Sequence, residues 1–137
     1  MKKLLLVFCL TSTFAIVGSA QSATVRREIR KQSCSDPSIK AVKIGPQKNG
    51  FLAMCARNSY EDNFLFEKTR LIHSGGGSVD FSKTSHSGYY DIVEISHSGA
   101  FTGIKTTYNW NGSSYVQSKC REYDMSGNGW RNPRPCS

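Results

Sequence analysis

Few residues in this chain could carry chemistry. His73, His86 and His97 are its three histidines, 13 and 11 residues apart. Three imidazoles can hold a metal or supply a general base, but no HExxH or CxxC pattern accompanies them. They read as exposed loop histidines, and no metal or cofactor is expected. Glu94 and His97 are the best-placed acid–base pair, since one strand end could bring both near Gly99. With Arg57, Arg70 or Arg121 on phosphate, such a pair would suit RNA cleavage, or hydrolysis of a wall glycan. The carboxylates Glu61, Asp62, Glu67, Asp80, Asp91, Glu94, Glu122 and Asp124 would make a glycosidase pair only through tertiary proximity. No Gly-x-Ser-x-Gly elbow activates a serine. Gly75-Gly76-Gly77 precedes no helix pattern and no Gly-Lys-Ser/Thr, so it reads as a mobile link between hairpins, with no phosphate cradle.

Aromatic side chains are the second resource. Tyr89, Tyr90, Tyr108, Trp110, Tyr115 and Tyr123 crowd one stretch and could stack on a sugar or bind a protein, although part of them must serve the core. Residues 88–120 position all of them but Tyr123: two runs of β formers joined by a glycine-containing link, then Asn111-Gly112 and a third run. That pattern predicts an antiparallel meander. Ile104, Tyr108 and Trp110 share one face, with Lys105, Thr107 and Asn109 on the other. A two-residue Asn111-Gly112 turn would pair Trp110 with Ser113 and Tyr108 with Tyr115, whereas a longer loop using Ser113 would shift that register. The turn end, with Tyr108, Trp110, Asn111, Gly112 and Tyr115, is the candidate binding surface. Arg26, Arg27 and Arg30 would assist it. Trp130 is either a further anchor or a lid on one end of the core.

Upstream, Val25 and Ile29 are four apart among Arg26, Arg27, Arg30 and Lys31, which suits a short helix within 22–32. Asp36-Pro37 can start a helix or a turn. Apolar Ile39, Val42 and Ile44 precede Gly45-Pro46. Asn49-Gly50 marks a turn, and residues 51–56 form a buried strand, with shorter strands expected at 63–67 and 69–73. After Cys120 the composition becomes loop-like, with Pro133 and Pro135. The fold class is thus α+β and β-dominated: an antiparallel meander with a short N-terminal helical segment, stabilised by disulfides.

Residues 1–20 have the features of an export signal: Lys2-Lys3, an apolar core of about 14 residues, and small residues Gly18-Ser19-Ala20. The apolar core falls short of the roughly 20 residues that span a bilayer, so no membrane span is expected. Residues 21–137 then form one small domain with a basic N-terminal arm, addressed to the periplasm. Cys34, Cys55, Cys120 and Cys136 remain in it, at spacings of 21, 65 and 16. In an oxidising compartment they favour two disulfides. Three pairings are open, and Cys34–Cys55 with Cys120–Cys136 comes first because each closes a short loop. The net charge of +8 falls to +6 without Lys2 and Lys3, and its excess lies in residues 21–57. That arm could meet an acidic protein, an anionic polymer or a membrane surface, or simply be a solvated helix face. An exported address argues against nucleic acid.

Residues 80–116 resemble the FG-GAP/VCBS-like segments of bacterial exported proteins. Asp91-Ile92-Val93 matches the D-[LI]-[IV] strand, and Tyr108-Asn109-Trp110-Asn111-Gly112 with Tyr115-Val116 matches the hairpin that follows it. The resemblance implies a β-rich module. Of the acidic calcium loop only Asp80 is present. The combined expectation is a non-enzymatic periplasmic binding protein, an immunity protein or an inhibitor of a cell-wall-degrading enzyme. A structural or accessory envelope domain and a small secreted hydrolase are the alternatives. Homo-oligomerisation is not indicated either way.

Overall fold

A computed structural model describes residues 13–58, 60–125 and 129–136, with side chains from residue 22 onward. The architecture is α+β and β-dominated, in three layers. Helix α1 (Thr13–Arg30) lies on a four-stranded sheet, β1 (Ser38–Gly45), β2 (Lys48–Ala56), β3 (Glu61–Glu67) and β4 (Arg70–Gly76). Facing that sheet on its other side is a five-stranded one: β5 (Ser78–His86), β6 (Tyr89–Gly99), β7 (Thr102–Trp110), β8 (Tyr115–Asp124) and β9 (Arg131–Pro135). Each is an antiparallel meander in sequence order.

Strand alternation explains the layering. Leu52 and Leu65 point to the core between the sheets, with Ile44, Ile72, Tyr89, Ile92, Trp110 and Tyr115. Their neighbours Ala53, Cys55, Phe64 and Phe66 point the other way and receive Val25 and Ile29 of α1. The four-stranded sheet is therefore apolar on both faces. The helix runs from Thr13, nine residues ahead of the expected 22–32 segment. Of the residues read as an export signal, 1–12 lie outside the described set, and 13–20 belong to α1. Among the described residues, no helix is long and apolar enough to cross a membrane.

Both disulfides take the first of the expected pairings. Cys34–Cys55 ties the exit of α1 to β2, and Cys120–Cys136 ties β8 to the end of β9.

Three local expectations are corrected, and the choice left open at Asp36-Pro37 is decided. The β1–β2 turn falls at Pro46-Gln47, and Asn49-Gly50 lies inside β2, opposite Lys43 and Val42. Glycine is needed at 50 because a Cβ there would sit 3.0 Å from Ile44 and closer still to the Phe66 carbonyl. Asp36-Pro37 starts no helix; β1 begins at Ser38. The glycine run is not a mobile link: Gly75 and Gly76 belong to β4, and Gly77 alone joins the two sheets. With φ at 90°, Gly77 turns a corner that other residues enter only under strain. Finally, the tail after Cys120 is not all loop: β8 continues to Asp124. Residues 131–135 pair with β8 at the sheet edge, where a strand needs hydrogen bonds on one side only and prolines are tolerated.

Candidate functional site

Three groupings of side chains stand out. The first is the end of the molecule where four hairpin turns converge: β1–β2, β3–β4, β5–β6 and β7–β8. Tyr89 stacks on Trp110, with ring centroids 4.1 Å apart, and Tyr115 meets Trp110 edge-on at 5.2 Å. Cations cover this aromatic cluster. Lys48 Nζ sits 4.6 Å from the Tyr89 ring centre, and the Arg70 guanidinium 5.9 Å from that of Trp110. Glu67 binds them together, accepting from the Tyr89 hydroxyl at 2.9 Å and from Arg70 at 3.0 Å, with Lys48 at 3.5 Å. Burial opposes ionisation of Glu67, but these hydrogen bonds and the Lys48 charge outweigh it and hold the carboxyl below its usual range. Burial pushes the Tyr115 hydroxyl up, helped by the negative charges around it, and that hydroxyl donates to the Tyr90 carbonyl at 2.9 Å.

The β7–β8 turn projects from this cluster. It is the longer loop: Trp110 pairs with Tyr115 across residues 111–114, all four exposed, and Tyr108 pairs with Gln117. Asn111 Oδ1 accepts from the Ser113 amide (3.0 Å), the Ser114 amide (3.0 Å) and the Ser113 hydroxyl (3.1 Å). The turn is thereby closed on itself by an Asx motif.

The candidate binding residues are thus distributed unevenly. Asn111 and Gly112 are at the exposed tip, while Trp110 and Tyr115 are buried beneath it and Tyr108 is half-buried deeper between the sheets. Arg26, Arg27 and Arg30 lie on α1, behind the four-stranded sheet, and the structure does not bring them to the tip. Arg26 reaches the Pro37 carbonyl at 3.5 Å. Trp130 is partly exposed, edge-on to Tyr123 at 5.1 Å, over Gly103 at the far end of the five-stranded sheet.

The second grouping is buried between the sheets. Glu94 points inward from β6 and bonds His73 Nε2 at 3.0 Å, with Asn63 Nδ2 donating to the same oxygen at 3.0 Å. The Tyr108 hydroxyl is a third neighbour that favours the charged carboxylate. His73 is therefore no loop histidine. A bulge in β4 turns Ile72 and His73 to the same inward face, where regular alternation would send neighbours to opposite faces. His97 is exposed, and Glu94 takes His73 as its partner instead. Burial is the largest influence on Glu94 and would raise its pKa. The interactions with His73, Asn63 and Tyr108 prevail, and the carboxyl is held low. The Tyr108 hydroxyl is pushed up to about 12, first by burial and then by the Glu94 charge. His73 is 8% exposed and Glu94 5%, so the pair joins the sheets in the interior.

A pH dependence follows. A carboxyl whose folded pKa lies below its unfolded value of about 4.3 adds stability that is complete above that value. This stability is lost as pH falls through the folded pKa. Glu67 and Asp124 are also held low, so the Glu94 share is a difference. Between pH 7 and pH 2, the melting temperature of Glu94→Gln is expected to fall less steeply than that of the wild type. Parallel curves would assign the acid sensitivity to other groups.

The third grouping lies on the outer face of the five-stranded sheet, which no described element covers. Lys105, Lys119 and Arg121 project there around a groove of about 320 Å³, with Ser82, Thr84 and Tyr123. Sequence reading placed Lys105 on the polar face of β7 but located the charge excess in the N-terminal arm. The available signal was the spacing of Lys119, Arg121 and Tyr123, each two apart on one strand face. His86 borders this region, its Nδ1 2.6 Å from Asp91. Among the described residues, no group of three or more His, Cys, Asp or Glu side chains could hold a metal ion.

No family model, curated protein or solved structure matches this chain. Its class is defined by the fold alone: a disulfide-stabilised pair of antiparallel meanders backed by one helix, with a turn end closed by Asn111 and an open outer sheet face.

Proposed function

We propose that the protein is a non-enzymatic binding protein of the periplasm, an inhibitor or immunity protein that places its β7–β8 turn in the cleft of a cell-wall-degrading enzyme. The observation that carries this reading is the preformed tip. Asn111 closes the loop before any partner arrives, and Trp110, Tyr89 and Tyr115 hold its base rigid. A loop ordered in advance loses little conformational freedom on docking. Lys48, Lys68 and Arg70 stand around it against the single carboxylate Glu67 in the neighbouring β3–β4 turn, a charge pattern suited to an acidic cleft.

The test is a titration of the purified protein into a panel of muramidases, amidases and endopeptidases acting on peptidoglycan. Inhibition saturating at one equivalent is expected for at least one of them. Ser114→Glu puts a negative charge at the tip and spares the Asn111 contacts, which use only the Ser114 backbone. It is expected to weaken inhibition about tenfold or more, as a repelled charge at an interface does, with unchanged melting. Absence of inhibition across the panel, or turnover of peptidoglycan by the protein alone, would reject the proposal.

A further inference from the structure

The outer groove is built on three strands in register, with Ser82 and Thr84 added from the irregular stretch of β5. Val93 of β6 pairs with Thr107 of β7, Thr107 pairs with Lys119 of β8, and Lys105 pairs with Arg121. Side chains paired in this way stand about 5 Å apart, so the three cations converge on one depression. Among the described residues, Lys105 and Lys119 make no ion pair or side-chain hydrogen bond, and Arg121 reaches only the Cys120 carbonyl at 3.4 Å. The one carboxylate in the lining, Asp91, is engaged by His86. Ser82, Thr84 and Thr107 add hydroxyls, and Tyr123 adds a ring. Trp130 lies beside that ring over Gly103, where a Cβ would come within 2.7 Å of the indole. The Cys120–Cys136 disulfide and the Arg134 bonds to Glu122 and Asp124 tie β9 down next to it.

We propose that this groove binds an acidic saccharide, with a sugar ring against Tyr123 and its carboxylate held by Lys105, Lys119 and Arg121. Three kinds of group are present together, and each answers a different part of that ligand. Cations meet the carboxylate, hydroxyls meet the sugar hydroxyls, and the aromatic face meets the C–H face of the ring. The volume is at the small end of ligand sites and suits one or two sugar units. An acidic peptide fits less well. It gains affinity by adding to a sheet edge, and the groove lies on a sheet face, where the backbone donors and acceptors are already paired between strands. The site is separate from the turn end and does not rest on the inhibitor reading.

The experiment is calorimetric titration of the full chain with a short oligogalacturonate, with a neutral oligosaccharide of the same length, and with poly-glutamate of the same charge. Oligogalacturonate is expected to bind, the neutral sugar to bind far more weakly, and poly-glutamate to bind more weakly at equal charge. Lys119→Glu and Lys105→Glu, both at exposed positions, are each expected to weaken oligogalacturonate binding about tenfold, with unchanged melting. Tyr123→Leu is expected to weaken the saccharide and leave poly-glutamate unaffected. Equal or tighter binding of poly-glutamate, absence of oligogalacturonate binding, or indifference to both lysine variants would overturn the proposal. The lysine variants should still inhibit a hydrolase that the wild type inhibits. Joint loss of both activities would make the groove the hydrolase-facing surface and overturn the saccharide assignment.

Discussion

Gly75→Ala is expected to destabilise the protein by about 3–5 kcal/mol, the cost of breaking a buried, hydrogen-bonded pair. A Cβ on residue 75 would land on the Glu94 carboxylate, 2.6 Å from Oε2 and closer still to Oε1. The carboxylate would have to leave His73 and Asn63, which both bond the oxygen that the Cβ would displace. Glu94→Ala is expected to cost a similar amount, because it strands the same two groups. The two changes are not additive. Once the carboxylate is gone, the added methyl fills vacated space, and a coupling of about 2–3 kcal/mol is expected from the double-mutant cycle. Urea unfolding of the four proteins measures it. Additive effects would show that Gly75 is required for a reason other than the room it gives Glu94.

Trp110→Ala is the second large effect, also about 3–5 kcal/mol. For a chain of this size that is a fall in melting temperature on the order of 10–20 °C. The indole is 5% exposed, stacked on Tyr89 and edge-on to Tyr115, so its removal opens a cavity beneath the turn end. Ser114→Glu, four residues on, touches none of this and is expected to stay within about 0.5 kcal/mol. The contrast separates what supports the tip from what the tip presents. A melting temperature for Trp110→Ala within a few degrees of wild type would mean that the cluster is not what holds this end together.

The meander of β6, β7 and β8 was legible because strand alternation and the Asn111-Gly112 signal agree. Its register was not, since whether Ser113 and Ser114 join the loop depends on what Asn111 Oδ1 can reach. Gly50 and Gly75 misled for a shared physical reason. Glycine marks a turn by its backbone freedom and a close approach by its missing side chain, and composition does not distinguish them. His73 was hidden by the bulge at Ile72, which shifts the face of a strand without leaving a trace in the residue types. Of the candidate site, the aromatic turn end was readable as a local cluster. Lys48, Glu67 and Arg70 were not, because they reach it from the other sheet.

The one-residue corner at Gly77 divides the chain into two stretches, each of which pairs strands only with its neighbours in sequence. Low contact order of this kind favours rapid folding, since no long loop must close before hydrogen bonds form. The two disulfides obey the same division: Cys34–Cys55 falls before the corner, Cys120–Cys136 after it. A chain emerging from its N-terminus can therefore oxidise the first pair before the second has appeared. Each bond closes within its own stretch, and neither has to wait for strands from the other side of the corner.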